Sequence, residues 1–425
     1  MNKIGQSDLA INGGQPAVTH PLPPMYPGGM RIDEEEETAV LEVLRSKRLF
    51  RYYGPTPGPS KVEELEGAFA ARMGSRFALA LSSGTAALVV GLIGLGIGPG
   101  DEVIVPAYTW IATASAVAVV GAVPIMAEVD DSLTLDPQDV ERKISPYTRA
   151  IIPVHMRGAP CQMGALMGLA HARGLKVLED AAQADGGSYH GKALGTFGGA
   201  GIFSLQFNKI ITSGEGGILV TDDEVVYQRA LMVHDVVGGQ RNGIPSKDVL
   251  LGINFRMPEL LAAVMLVQLK RLENLLRDMR QRKTMIKESM AALALRKGIQ
   301  FRTIHDQEGD AAVALMFMLP DAAQAHAVAK ALSAEGVPAG VIYSADREDY
   351  HIYAHWAPIM NQHAWTPNGG PWQNHPHPVH YAKDMCPRTL DLLSRCVHLD
   401  ISPELDNTQV EEITDALHKV LSTLA

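Results

Sequence analysis

Three short stretches hold residues whose types and spacing suit covalent chemistry on an amine. The first is Phe203-Ser204-Leu205-Gln206-Phe207-Asn208-Lys209, followed by Ile210-Ile211-Thr212-Ser213-Gly214-Glu215-Gly216-Gly217. A lysine just past a strand end, among aromatic and apolar neighbours, is placed to lose water and so to be nucleophilic near neutral pH. The second is Lys176-Val177-Leu178-Glu179-Asp180, where a carboxylate closes an apolar strand. A buried acid is costly unless it meets a cation, and a protonated pyridine nitrogen would be such a partner. The other reading of Asp180 is a cap on the next helix. The third is the strand Phe77–Leu81 running into Ser82-Ser83-Gly84-Thr85-Ala86-Ala87-Leu88. Backbone N–H groups and the Thr85 hydroxyl at such a helix start can cradle a phosphate, because the unpaired donors and the helix dipole both favour an anion.

These pieces need a scaffold that brings strand ends together. Between residues 77 and 221, short apolar runs alternate with helical segments, at 77–81, 102–105, 123–126, 150–154, 176–178, 202–205 and 218–221. That rhythm predicts an α/β fold with a mostly parallel sheet covered by helices. Ligands in such sheets bind at the carboxyl ends of the strands. Before it, Asp33-Glu34-Glu35-Glu36-Glu37 marks a helix start, and Pro55, Pro57 and Pro59 keep residues 52–60 out of a helix. Past Pro258 a long helix is expected over residues 259–293, then a strand at 312–319, a helix at 322–335, a strand at 337–343 and a last helix opening at Thr408 with a capping box. The expected division is an N-terminal arm and first helix over residues 1–60, a large cofactor-binding domain over 61–257, and a bridging helix with a small α+β domain over 258–425.

The bulk properties narrow the function class. The 425 residues are 46% hydrophobic and 20% charged, the profile of a compact enzyme, and they exceed one ordinary core. A net charge of -10 argues against a nucleic-acid backbone as partner. Three cysteines, Cys161, Cys386 and Cys396, point to a reducing compartment, read here as the cytoplasm. Residues 1–19 lack a signal-peptide pattern, and the apolar stretches 86–97 and 110–127 are interrupted by polar residues, glycine or proline, so buried helices are expected there rather than membrane spans. Seven histidines between His351 and His398 are interleaved with Trp356, Trp365 and Trp372, without a carboxylate motif at metal-ligand spacing, and no metal site is assigned to them.

Taken together, the motifs resemble the DegT/DnrJ/StrS family of pyridoxal-phosphate-dependent sugar aminotransferases over residues 33–421. The likeness rests on Ser83-Gly84-Thr85-Ala86-Ala87-Leu88, Gly98-Pro99-Gly100-Asp101-Glu102-Val103-Ile104-Val105-Pro106, Pro153-Val154-His155, Glu179-Asp180-Ala181-Ala182-Gln183-Ala184, Gly214-Glu215-Gly216-Gly217 and Asn254-Phe255-Arg256-Met257. The resemblance implies a fold type I transferase with a mostly parallel mixed sheet and a smaller α+β part. It implies that Lys209 is the Schiff-base lysine and proton carrier, and that Asp180 partners the pyridine nitrogen. Trp110 would stack on the ring, Gln183 would approach its hydroxyl, and Gly84, Thr85 and Ser204 would hold the phosphate. Asn254 would reach the phosphate from a neighbouring subunit, which implies a homodimer with shared active sites.

The implied activity moves an amino group from glutamate or glutamine to a keto sugar, a cyclitol ketone or a keto sugar acid. The opening Leu9-Ala10-Ile11-Asn12-Gly13-Gly14 resembles the start of cyclitol and aminobenzoate-type relatives, which favours a small acceptor without a nucleotide. Three positions depart from the family pattern: Leu205, Asp185 in place of a frequent histidine, and the lead-in Gln206-Phe207-Asn208. Relatives with histidine at the lysine position act as dehydratases. A dehydratase or lyase, or a non-catalytic cofactor-binding regulator, is the alternative, and the presence of Lys209 and Asp180 favours transamination.

Overall fold

A computed structural model describes residues 6–55, 57–366 and 369–424. The first five residues of the N-terminal stretch, and residue 56 of the proline-rich loop, lie outside them.

The central sheet is built from Phe77–Leu81 (β1), Glu102–Pro106 (β2), Val123–Ala127 (β3), Thr148–Ile151 (β4), Lys176–Asp180 (β5), Ala200–Ser204 (β8) and Gly217–Thr221 (β9), with the two-residue strands Ser188–Tyr189 (β6) and Lys192–Ala193 (β7) pairing apart from it. Its order is β1-β9-β8-β5-β4-β2-β3. Strand β9 runs antiparallel to both β1 and β8, and the other pairs are parallel. This is the mostly parallel mixed sheet expected of an α/β fold. The strands are apolar along nearly their whole length because helices cover both faces, leaving no wet side to demand alternation. Strand β4 begins two residues and ends three residues before the apolar run 150–154 does, and the segment 110–127 divides into helix Ala112–Val119 and strand β3.

A second sheet follows, of Gln300–Phe301 (β10), Ala314–Met318 (β11), Gly340–Val341 (β12) and Cys396–Asp400 (β13), antiparallel throughout in the order β10-β11-β13-β12. The strand expected over residues 337–343 shrinks to two residues, since Pro338 has no N–H to give a ladder. The helix Glu259–Arg296 links the two sheets with 38 residues, three beyond the expected end. One buried cluster includes Val62 and Leu65 beside the first sheet, Leu272 and Met290 on this helix, and Phe317 and Leu417 of the C-terminal part.

Helix starts follow the sequence signals. Asp33 caps helix Glu34–Ser46 in a full capping box with Glu36, and Ser60 does the same for Lys61–Met73. The last helix, Asn407–Ser422, is capped by Asp406 with Gln409, two residues before the expected Thr408. Among the described residues no helix is long and apolar enough to cross a membrane, and no group of three or more His, Cys, Asp or Glu is arranged to hold a metal ion. All three cysteines are free and buried.

Candidate active site

A cavity of about 660 Å³ opens at the carboxyl ends of the first sheet's strands, and its lining brings together Ser83, Gly84, Thr85, Trp110, Asp180, Gln183, Ser204 and Lys209. Seven of the eight residues singled out from sequence therefore share one space. The eighth, Asn254, is exposed and does not line the cavity of its own chain.

Each side chain arrives there for a local reason. Strand β1 pairs with β9 and delivers Ser83 to cap helix Gly84–Gly94, its hydroxyl accepting from the Ala86 amide at 3.0 Å. The amides of Gly84 and Thr85, in the first turn, have no intrahelical acceptors and remain available to an anion. Gly84 is required by its neighbour: a Cβ there would lie 2.7 Å from Ser204 Cβ, closer than real contacts allow. The absence of a side chain thus lets the helix start and Ser204 flank the same point.

Strand β5 ends in two acids with different fates. Glu179 faces away and is saturated, accepting from the amides of Gly195 at 2.9 Å and Gly198 at 2.8 Å, with His155 Nε2 at 3.3 Å. Asp180 lines the cavity, 3% exposed, with Oδ2 accepting from Thr113 Oγ1 at 2.9 Å and Oδ1 from the Ala182 amide at 3.1 Å. Burial pushes its carboxyl above the ordinary value, and those two donors and the nearby Lys209 and His155 only partly offset it. A cation in the cavity would favour the charged form. No helix follows Asp180, which removes the capping role.

Lys209 sits in the turn after β8, fixed by Lys209 N–H to Gln206 O at 2.9 Å and Phe207 N–H to Gly214 O at 3.0 Å. Gly214 closes that turn at φ 85°, a conformation in which a side chain is strained. The lysine amine makes no hydrogen bond or ion pair among the described residues. Burial lowers its pKa, opposed by the Asp180 and Asp185 carboxylates, and the net shift is downward. Trp110 is 46% exposed, its ring 5.0 Å from that of His351, so its face is not consumed by core packing.

Thr113, Arg157 and Asp400, which line the cavity, have no signal in the sequence, and Asp185 lies buried nearby. Thr113 orients Asp180 but lies in an apolar helix with no motif around it. Arg157 lines the cavity two residues beyond the Pro153-Val154-His155 motif, and Asp400 meets it from β13. The Asp185 carboxyl was noted only as a departure. It is 1% exposed, neither oxygen has a hydrogen-bond partner among the described residues, and burial raises its pKa to about 8.

Comparison with known proteins places this geometry among relatives. The model of the DegT/DnrJ/EryC1/StrS aminotransferase family matches residues 30–366. A curated relative from Streptoalloteichus tenebrarius, named as a putative L-glutamine:3-amino-2,3-dideoxy-scyllo-inosose aminotransferase, is 38% identical over 272 residues. The match spans 63% of this chain and 63% of that relative's length, under two thirds of each. The solved structure of 3-amino-5-hydroxybenzoic acid synthase is similar at TM-score 0.77 and 28% identity, covering 94% of this chain and 99% of that one. DesI, solved in the presence of its TDP-sugar product, is similar at TM-score 0.76 and 27% identity, covering 98% and 97%.

Proposed function

We propose, from the premise that the chain belongs to the DegT/DnrJ/EryC1/StrS aminotransferase family, that it transfers an amino group from glutamine or glutamate to a ketone on a polyhydroxylated acceptor, with pyridoxal 5'-phosphate as cofactor. What carries the reading is the convergence of Lys209, Asp180 and the open first turn of helix Gly84–Gly94 in one cavity. The donor set fits this cofactor: spare amides for a phosphate, a buried carboxylate short of a cation, and an unpaired amine.

Gly84, Thr85 and Ser204 would hold the phosphate, Trp110 would cover a ring face and Gln183 would approach the ring hydroxyl. Asp180 would hold the proton on the ring nitrogen. When bound, the cofactor supplies an electron sink for the carbon that carries the substrate nitrogen. Lys209 would anchor the cofactor, and its Nζ, when free, would be placed to carry a proton between the two carbons that flank the transferred nitrogen. Its lowered pKa leaves a larger neutral fraction to accept that proton.

Asn254, exposed and outside its own cavity, supports a site completed by a second copy, hence a homodimer. Three free, buried cysteines support a reducing compartment, the cytoplasm. For the acceptor, the cyclitol ketone in the name of the 38% identical relative supports a cyclitol or similar small ketone over a nucleotide-linked sugar. The test is to mix the cofactor-loaded protein with glutamine or glutamate and follow the absorbance of the cofactor as it takes up the amino group, then add ketones one at a time. Failure of both donors to change the spectrum would sink this reading.

A further inference from the structure

We infer that Arg157 is the residue that recognises the α-carboxylate of the amino donor. The inference rests on the amino-transfer reading above and names a specificity residue for it.

The backbone is the first observation. Arg157 sits at φ 52°, ψ 39°, a left-handed conformation unusual for a residue with a side chain. The surroundings impose it. The Arg157 amide donates to Gln183 Oε1 at 3.0 Å, and the Met156 carbonyl accepts from the buried Arg302 Nη2 at 2.6 Å. On the other side the Gly158 amide donates to His155 O at 3.2 Å, and the Gly158 carbonyl accepts from Ala311 N–H at 3.0 Å. A strained turn pinned on both sides aims a side chain at a chosen place, and strain of this kind collects at ligand sites.

The second observation is where the guanidinium goes. Among the described residues it is the one arginine in the cavity lining, which also includes Trp110, His351 and Asp400. Its resting partner is weak: a single contact from Nη1 to Asp400 Oδ1 at 3.4 Å, with the aspartate side chain 39% exposed. Nε is buried and makes no hydrogen bond of ordinary geometry, and the buried Tyr108 hydroxyl is the guanidinium's other polar neighbour. A guanidinium with a loose carboxylate neighbour and donors to spare is built to take a second carboxylate in a paired, two-bond contact.

The third is chemical elimination. The phosphate end of the cofactor has the amides of Gly84 and Thr85, and a keto cyclitol, with or without an amino substituent, carries no anionic group for a guanidinium to hold. Glutamine and glutamate both carry an α-carboxylate beside the amine that Lys209 must yield to. Among the described residues lining the cavity, Arg157 is the arginine placed to hold it, with only the loose Asp400 contact to give up.

The probe is glutaramate, which is glutamine without its α-amine and so binds without reacting, and its uncharged counterpart glutaramide. Calorimetric titration of the cofactor-loaded protein should show glutaramate binding and no comparable binding of glutaramide. In Arg157→Gln the glutaramate affinity should fall by about tenfold or more, with partial recovery in Arg157→Lys and the cofactor absorbance unchanged. Asp400→Asn, which removes the competing carboxylate, should bind glutaramate at least as tightly as the parent. In steady state, Arg157→Gln should raise the donor KM and leave the ketone KM near the parent value. Equal glutaramate binding by parent and Arg157→Gln overturns the assignment, as does a loss in Asp400→Asn matching that in Arg157→Gln. So does a result in which Arg157→Gln loses a nucleoside diphosphate and keeps glutaramate. Because glutaramate does not react, Arg157-dependent binding without amino transfer from glutamine would instead fault the proposed function alone.

Discussion

Thr113 Oγ1 donates to Asp180 Oδ2 at 2.9 Å, from a helix 67 residues away in sequence. With the Ala182 amide on the other oxygen, it is one of two donors that favour the charged carboxylate and partly offset its burial. Thr113→Val keeps the shape and removes the donor. Cofactor affinity, read by absorbance titration, should weaken by about tenfold, the usual scale for a hydrogen bond to a charged group. An unaltered titration would mean that Asp180 needs no such support.

Lys209→Ala should fold as the parent does by circular dichroism and carry no covalent cofactor. Borohydride reduction and mass spectrometry would find a cofactor-bearing peptide in the parent only. Amino transfer should drop on the order of a thousandfold, as expected when a proton-transfer group is removed. A cofactor adduct surviving in the variant would place the anchor elsewhere.

At Gly84 the expected cost is steric. A methyl group would meet Ser204 Cβ at 2.7 Å, so Gly84→Ala should lower stability by about 1–3 kcal/mol and weaken cofactor binding. Adding Ser204→Gly removes the clashing atom. The melting temperature of the pair should then rise above that of Gly84→Ala alone; a further fall would show that crowding is not the cause.

Asp185 makes a pH prediction. Burial raises its pKa from 3.8 to about 8, with Lys209 opposing. The folded state then binds a proton that the unfolded state releases, so the contribution to stability is full below the ordinary value. It is lost as pH rises from about 4 to about 8, at up to about 1.4 kcal/mol per pH unit. Asp185→Asn should flatten the fall in melting temperature across that window. Parallel curves for parent and variant would show that Asp185 ionises normally.

Much of this site was legible in sequence because it sits where strands end. Lys209, Asp180 and the Ser83 turn each follow an apolar run, and a parallel sheet gathers such ends at one edge. Short-range signals misled where a stronger competitor lay nearby: Asp406 out-caps Thr408, and Pro338 erases most of the strand expected at 337–343. Arg157 and Thr113 were not legible. Arg157 matters through a left-handed turn and through Asp400, which is 243 residues away. No spacing rule reports a contact of that range, and Thr113 looks like any small residue in a packed helix.

The 38-residue helix and the cluster around it bear on how such a chain can diversify. Leu272 and Met290 are buried in the same mass as Val62 and Phe317, so the part from β10 onward is not a module that can be exchanged with a relative's. A transplant would leave one flank of the helix facing foreign shapes and strip packing from the first sheet as well. Change is tolerated more easily at the rim of the cavity, where half-buried His351 packs on Trp110, than in this shared interior.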